Sequence, residues 1–449
     1  MPEVGPPYPL TYRQELVAPL LRRLQAGESA VVIGAASMGK SRLLQFLLRP
    51  DVRQHYWGKR AASALFVWVD CNRMAAISEW GLYELILTAL TEAVGQQPLA
   101  LNLRNDLNQL RKEALLAGNA LLGQRYVELA AQMLCQEQGL HLCLILDEFD
   151  ECYRILPGQT LANLRALRDA NKYRVTYLLF MRDEPAQLRP PADCEGFYEL
   201  LSRGVLGLKP HQPDDSRLIL EGLVIRRKHE LGELTAHDLD PLLCLSGGHP
   251  GLLVALVDAV IVTKPLGAAW QAWAEKQPSI QEECRKIWEG LRYEERRTLA
   301  YLAQGLSTGT QEQLPLLTKG LLRKADADQF TFFSPLFQAY VGQQPIVSPS
   351  KLELDAQAGT VWVDGRLCEA LTDKEFKLLH YLNDHLGEIC KVEQIIAHLY
   401  PGQEGYNIND NSIAALVKRV REKIEPAPKH PQYLLNLKGR GYRLVDEPE

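Results

Sequence analysis

Between Glu28 and Pro210 short unbroken apolar runs alternate with longer stretches of helical period. AVVIG (30–34), ALFVWVD (64–70), LHLCLILD (140–147), VTYLLFMR (175–182) and GVLGL (204–208) are the strand candidates. A strand that is apolar at every position is covered on both faces, and helical connections between such strands predict a parallel α/β sheet. From 212 to 275 the pattern is helical, broken at SGGHPG (246–251). Within it LLVALVDAVIV (252–262) is too short to span a bilayer and contains Asp258, so it reads as a buried helix. Residues 278–345 are helix-rich and close on FTFFSPLF (330–337), and PIVSPS (345–350) has the Pro and Ser content of a linker. The remainder runs through two strand-like pieces, KLELD and TVWVDG, then helices, then LNLKGRGYRL (435–444), a hairpin pinched at Gly439 and Gly441.

One pattern repeats. LRYEERRTLAYL (291–302) and LTDKEFKLLHYL (371–382) share their leading Leu, the Glu at 295 and 375 and the Leu at 299 and 379, and each is followed by helices and a strand-rich end. The echo predicts two winged helix-turn-helix units in tandem. Composition adds little: 46% hydrophobic and 23% charged residues are ordinary for a globular chain. A net charge of −5 excludes a surface coated throughout by nucleic acid, but not a local basic patch. The nine cysteines form no C-x-x-C, and most lie in apolar runs (Cys71, Cys135, Cys143, Cys244), so buried reduced thiols are expected rather than a metal site or disulfides. MPEVGPPYPL has neither the cationic nor the apolar stretch of a secretory leader. The expectation is a cytoplasmic protein with no membrane partner.

GAASMGKS (34–41) fits G-x-x-x-x-G-K-[ST], follows the strand AVVI and precedes the helical RLLQFLL. Strand, glycine-rich loop and helix together predict a phosphate-binding loop, with the backbone of Gly34, Ala35, Ala36, Ser37, Met38 and Gly39 converging on phosphates at a helix N-terminus. Lys40 would neutralise β/γ-phosphate charge, Ser41 would ligate Mg²⁺, and Arg42 follows at the same rim. LCLILDEFD (142–150) ends a second apolar strand in carboxylates. Asp147 is expected in the Mg²⁺ shell and Glu148 as general base toward the attacking water, while Asp150 and Glu151 read as a solvated helix start. Arg182, at the end of VTYLLFMR, is within reach of a γ-phosphate as charge stabiliser.

These residues, with YRQE (12–15) ahead of the loop and GHP (248–250) in the helical region, resemble the STAND class of AAA+-related signal-transduction ATPases over about residues 8–345. The resemblance implies ATP/ADP as ligand with Mg²⁺, Pro250 against the nucleotide, and a winged helix after a helical lid. It also implies slow hydrolysis serving a switch: closed with ADP, opened and often homo-oligomeric with ATP. By its own chemistry His249 is equally a helix-capping or core histidine. No arginine finger stands out; Arg165 and Arg168 are candidates by position only, and no repeat array follows the ATPase region.

Residues 352–444 resemble the OmpR/PhoB-type winged-helix DNA-binding domain through LELD, TVWVDG, LTDKEFKLLHYL, GEICKVEQIIAHLY, NDNSIAALVKRVREKIEP and LNLKGRGYRL, in that order. On the helix beginning near Asn411, Ile413, Leu416, Val417, Val420 and Ile424 form an apolar stripe, with a small, basic face opposite. Between 411 and 443 eight Lys or Arg stand against two Glu, the electrostatic footprint of contact with double-stranded DNA. Asn411, Ala415 and Lys418 are candidates for base edges, Arg419, Arg421 and Lys423 for phosphate, and Lys438 and Arg440 for the wing tip. Leu416 and Ala414 stand where that family usually has polar residues, which leaves DNA shape a larger share of specificity.

The expected architecture is multidomain: an α/β P-loop NTPase with a parallel sheet (1–210), a helical lid (211–275) and two winged helix-turn-helix domains (276–345 and 346–449). The expected function is a nucleotide-switched DNA-binding transcription regulator of bacterial type. A DNA-stimulated AAA+-like ATPase acting as loader or remodeller, and a STAND defence or signalling scaffold whose winged helices bind protein, are the alternatives.

Overall fold

The computed structural model describes residues 8–95, 101–263, 269–324, 330–344, 352–355, 359–363, 366–400, 410–425, 428, 430–437 and 440–445, the side chains of 410 and 411 excepted. The chain divides into two compact units, Met1–Gln344 and Pro345–Glu449.

In the first unit β1 (Ala30–Ile33), β2 (Ala64–Asp70), β3 (His141–Asp147), β4 (Val175–Met181) and β5 (Val205–Gly207) form one sheet in the order β2-β3-β4-β1-β5. Every pairing is parallel, as the apolar runs predict. All positions of β1 and β4 are buried. Trp68 of β2 is exposed because β2 is an edge strand. The register sets Ile33 beside Met181 and Asp70 beside Asp147, so the loops after β1, β3 and β4 leave the sheet at one edge. This is a P-loop NTPase-like α/β fold.

Helices Pro213–Arg226, Pro241–Ser246 and Pro250–Val262 follow, the last with Leu252, Leu253, Leu256 and Val257 buried. Then come Pro278–Glu289, Tyr293–Ala303 and Thr310–Thr318, the antiparallel pair β6 (Leu322–Lys324) and β7 (Phe330–Phe332), and a closing helix Pro335–Gly342.

In the second unit β8 (Leu352–Asp355), β9 (Thr360–Val363) and β10 (Arg366–Leu367) form an antiparallel sheet. Helices Asp373–Asp384, Val392–Leu399 and Asp410–Ile424 precede the hairpin of β11 (Leu434–Leu437) and β12 (Gly441–Leu444). Sheet, three helices and closing hairpin make this a winged-helix fold. Ile413, Leu416, Val417, Val420 and Ile424 are all buried in its core, so the apolar stripe read from sequence is the packing face. Leu416 thus belongs to the core. Gly441 has φ 126°, and a Cβ there would collide with the Cys390 carbonyl oxygen. Tyr442 exchanges backbone hydrogen bonds with Cys390 at 2.8 and 3.0 Å. The glycine is therefore demanded by β12 lying flat on Cys390, not only by the turn.

The repeated pattern has a physical content. Glu295 and Glu375 occupy the third position of their helices, accept the backbone N–H of Arg292 (3.0 Å) and Thr372 (2.9 Å), and are buried. Each then binds a lysine that arrives from later in its own unit: Lys319 at 2.8 Å and Lys423 at 2.8 Å. Burial works against the Glu375 charge, but Lys423 and the Thr372 N–H outweigh it and hold the carboxyl at about 2.

Seven cysteines are buried, Cys368 is half-buried, and Cys244 is exposed, contrary to the expectation from its apolar neighbours. Among the described residues no helix is long and apolar enough to cross a membrane, and no three His, Cys, Asp or Glu cluster as metal ligands.

Candidate functional site

The loop after β1 runs from Gly34 to Gly39 and feeds the helix Lys40–Leu47. Ser37 (φ 54°) and Gly39 (φ 91°) take the left-handed backbone that curls the loop, and the Gly34 N–H donates to the Met181 carbonyl at 3.1 Å. Ala35 and Met38 are buried, whereas Ser37 and Ser41 are exposed. Arg42 is half-buried, with a buried Nη1 that has no hydrogen-bond acceptor among the described residues. An unsatisfied cationic donor beside a helix N-terminus suits an anion.

Parallel register brings the ends of β3 and β4 to this loop. Lys40 Nζ lies 3.2 Å from Glu148 Oε1, and Arg182 Nη2 lies 3.3 Å from Glu148 Oε2. Lys40, Glu148 and Arg182, chosen from three separate motifs, thus form one continuous charged row. Burial works against the Glu148 charge, but Lys40 and Arg182 outweigh it and hold the carboxyl below its ordinary value. Asp147 is buried, accepts the Glu148 N–H at 3.1 Å, and is pushed up by burial and by Glu148. Asp150 departs from expectation. It does open the helix Asp150–Ile155, but its Oδ1 accepts the backbone N–H of Arg182 (2.8 Å) and of Asp183 (3.3 Å), so it ties down the end of β4 rather than standing in solvent. Arg165 and Arg168 are engaged locally, on Asp169 at 2.7 and 3.0 Å and on the Gly196 and Gly27 carbonyls.

Sequence reading missed the joint between the loop and the helices that follow β5. Arg13, from YRQE, is buried with φ 48°; its Nη2 donates to the Met38 carbonyl at 2.8 Å, its Nη1 to the Lys209 carbonyl at 2.7 Å, and its N–H to Asp215 at 3.0 Å. His211 bridges the Tyr12 hydroxyl (2.8 Å) and the Gly248 carbonyl (3.2 Å). His249 accepts the Leu252 N–H at Nδ1 (3.1 Å), capping its helix, and its Nε2 donates to the Ala36 carbonyl of the loop (3.1 Å). Pro250 is buried close to Gly39, where a Cβ would lie 3.5 Å from its Cγ.

Burial pushes His249 down to about 4, against the pull of Glu283, and burial with the nearby Arg13 pushes His211 down to about 2. Both are neutral in the fold and titrate near 6.5 once unfolded. The unfolded chain therefore binds more protons below pH 6.5, and stability present above that pH falls as acid is added. Each histidine should remove about 1.4 kcal/mol per pH unit until its folded value is reached. Denaturant midpoints of the full chain between pH 7 and about 4.5 check this, and His249→Gln should flatten the slope.

On the helix Asp410–Ile424, Ala415, Lys418 and Arg419 are exposed, and Lys418 stands 3.9 Å from Glu422. Arg421 and Lys423 run against the expectation that they grip phosphate. Arg421 donates through Nε (2.9 Å) and Nη2 (2.7 Å) to the Leu434 carbonyl at the base of the wing. Lys423 binds Glu375 and the Ala370 carbonyl, both at 2.8 Å. Arg419 Nε also reaches Glu375, at 3.2 Å, yet its side chain stays half exposed. Glu425 is buried and accepts the N–H groups of Gln432, Tyr433 and Leu434 at 2.7–3.0 Å, which fixes where β11 begins. Arg440 is exposed. Lys438 and the Asn411 side chain lie outside the described residues.

Residues 368–444 match the family described as transcriptional regulatory protein, C terminal. Among solved structures the chain is similar to the ORC2 protein of Aeropyrum pernix in ADPNP–ADP complexes, at 15% identity over 76% of this chain and 96% of that one, with a TM-score of 0.42. It is also similar to a STAND protein with a tetratricopeptide repeat sensor from Pyrococcus horikoshii, at 13% identity over 89% of this chain and 49% of that one, with a TM-score of 0.30. The Klebsiella pneumoniae RstA DNA-binding domain, solved with its RstA box, matches 22% of this chain and 97% of its own length at 22% identity and a TM-score of 0.20. A transcription-regulator C-terminal domain is thus carried in one chain with a P-loop NTPase-like α/β unit.

Proposed function

We propose that the chain is a transcription regulator of bacterial type whose DNA binding is set by the nucleotide on its phosphate-binding loop. The observation that carries this reading is the row Lys40–Glu148–Arg182 at the edge of a P-loop sheet, in the same chain as a winged-helix regulator domain. Lys40 and the loop N–H groups would hold the phosphates of ATP or ADP, and Arg182 would bear on the terminal one. An ionised Glu148 suits a general base, which supports slow hydrolysis that ends the ATP state. The exposed Ser41 hydroxyl and the Asp147 carboxylate are the hard oxygen donors Mg²⁺ takes beside phosphates, where it would supply charge neutralisation. Residues 276–345 act in this reading as a winged-helix module docked within the first unit, and 346–449 as the DNA reader. Selection from a random duplex pool, run with ADP and with a non-hydrolysable ATP analogue, tests the reading: enrichment of one motif under one nucleotide only is expected, and no enrichment under either would contradict it.

The cations divide by role. With Lys418, Arg419 and Arg440 exposed to meet phosphate, log affinity should fall with log salt at a slope of about −3 or steeper per bound domain, and Lys418→Ala should reduce that slope by about 1. Arg421→Ala and Lys423→Ala should instead lower the domain's melting temperature. Fluorescence anisotropy across a salt series, beside thermal melts, separates the two groups.

A further inference from the structure

A cleft of about 620 Å³ separates the phosphate-binding loop from the helices Pro250–Val262 and Pro278–Glu289. Residues 37–42 wall it on one side; Asp258, Glu282, Glu283 and Lys286 carry the charge on the other. Three carboxylates facing a loop built for phosphate is an odd composition for an anion site, but two of them are neutralised. Asp258 pairs with Arg227 at 3.1 Å and Glu282 with Arg285 at 2.7 Å. Glu283 differs. It is 7% exposed, its Oε2 stands 3.6 Å from Lys286 Nζ, and its Oε1 has no hydrogen-bond partner among the described residues. Burying half a carboxylate unsatisfied is unfavourable, so its retention here needs a reason.

The packing brings that oxygen close to the loop. A Cβ on Gly251 would collide with Glu283 Oε1 and would come within 2.6 Å of Ser37 Cβ. Glu283 and the loop therefore approach each other across a single glycine, and any side chain at 251 would drive them apart. The neighbouring His249–Ala36 hydrogen bond holds the same lid segment against the same loop.

We propose that Glu283 makes the site count phosphates. A buried carboxylate is screened far less than a surface one. It opposes the charge of whatever the loop holds, and more strongly for a triphosphate than for a diphosphate. The repulsion favours ADP while the helix Pro278–Glu289 stays on the loop, and is relieved when ATP moves that helix away. This inference rests on the nucleotide reading given above.

The test is a pair of affinities, for ADP and for a non-hydrolysable ATP analogue, measured by titration calorimetry on the full chain at fixed Mg²⁺. Wild type, Glu283→Gln and Glu282→Gln are compared, with thermal melts to show that each is folded. Glu283→Gln should shift the triphosphate-to-diphosphate affinity ratio toward the triphosphate by about tenfold or more. Glu282→Gln, already paired with Arg285, should leave the ratio unchanged. A merely structural role would move the melting temperature and not the ratio, so an unchanged ratio in Glu283→Gln overturns the proposal. Loss of triphosphate affinity in that variant also overturns it, because the carboxylate would then be a ligand rather than a repellent. A wild type that binds neither nucleotide overturns both the proposal and the reading beneath it.

Discussion

Lys319→Met is expected to lower the unfolding free energy of the first unit by about 3–5 kcal/mol, the usual cost of removing one partner from a buried ion pair. Lys319 is 1% exposed and reaches Asp183 Oδ1 at 2.7 Å and Glu295 Oε2 at 2.8 Å. Burial opposes its charge, yet Asp183 and Glu295 outweigh that and hold the ammonium above its ordinary value. Methionine fills the same volume but leaves two carboxylates facing each other, with Arg292 Nε at 3.5 Å from Asp183 and the Arg292 N–H on Glu295 as their remaining partners among the described residues. Denaturant midpoints measure the loss, and adding Glu295→Gln to Lys319→Met should recover part of it. The matching change at Lys423 should cost less, because Glu375 keeps Arg419 and Lys423 is less deeply buried than Lys319. The position matters as well as the energy. Asp183 follows Arg182, and Asp150 holds the N–H groups of both, so the ion pair fastens the helices Tyr293–Ala303 and Thr310–Thr318 to the end of β4, beside the glycine-rich loop.

Lys40→Ala is expected to weaken ADP and ATP binding by about 100-fold or more. Hydrogen bonds to charged groups contribute roughly 1.5–3 kcal/mol each, and about 2.7 kcal/mol is a hundredfold in affinity. The fold should survive: the partner Glu148 is partly exposed and keeps Arg182. Calorimetry with both nucleotides, beside a melting curve, distinguishes lost binding from lost structure.

The elements that sequence made legible are those where one local rule suffices. Five doubly apolar runs became the five parallel strands, and a period of 3.6 residues found the buried face of Asp410–Ile424. The glycine-rich loop with its flanking strand and helix located Lys40, and the carboxylates at the end of β3 located Glu148. What escaped lay in long-range pairings that no spacing encodes. Arg13 meets Met38 and Lys209 only because the fold brings the segment before α-helix Gln14–Gln25 to the loop and to the end of β5. Glu283 meets the loop only because residue 251 is glycine. Arg421 and Lys423 look like phosphate-gripping cations in a basic run, and only the packed domain shows their donors directed inward. Repetition was more informative than its pattern alone suggested, since Glu295 and Glu375 share a cap, a buried site and a lysine partner.

The central claim is that the nucleotide on Lys40 governs the winged helix of the second unit. Its most direct test is the equilibrium affinity of the full chain for a selected duplex, by fluorescence anisotropy at fixed salt, with saturating ADP and with a saturating non-hydrolysable ATP analogue. Wild type should differ by about tenfold or more between the two nucleotides, a coupling within the usual range for linked sites. Lys40→Ala should show one affinity under both. Equal affinity for wild type with either nucleotide, matching that of Lys40→Ala, would contradict the account.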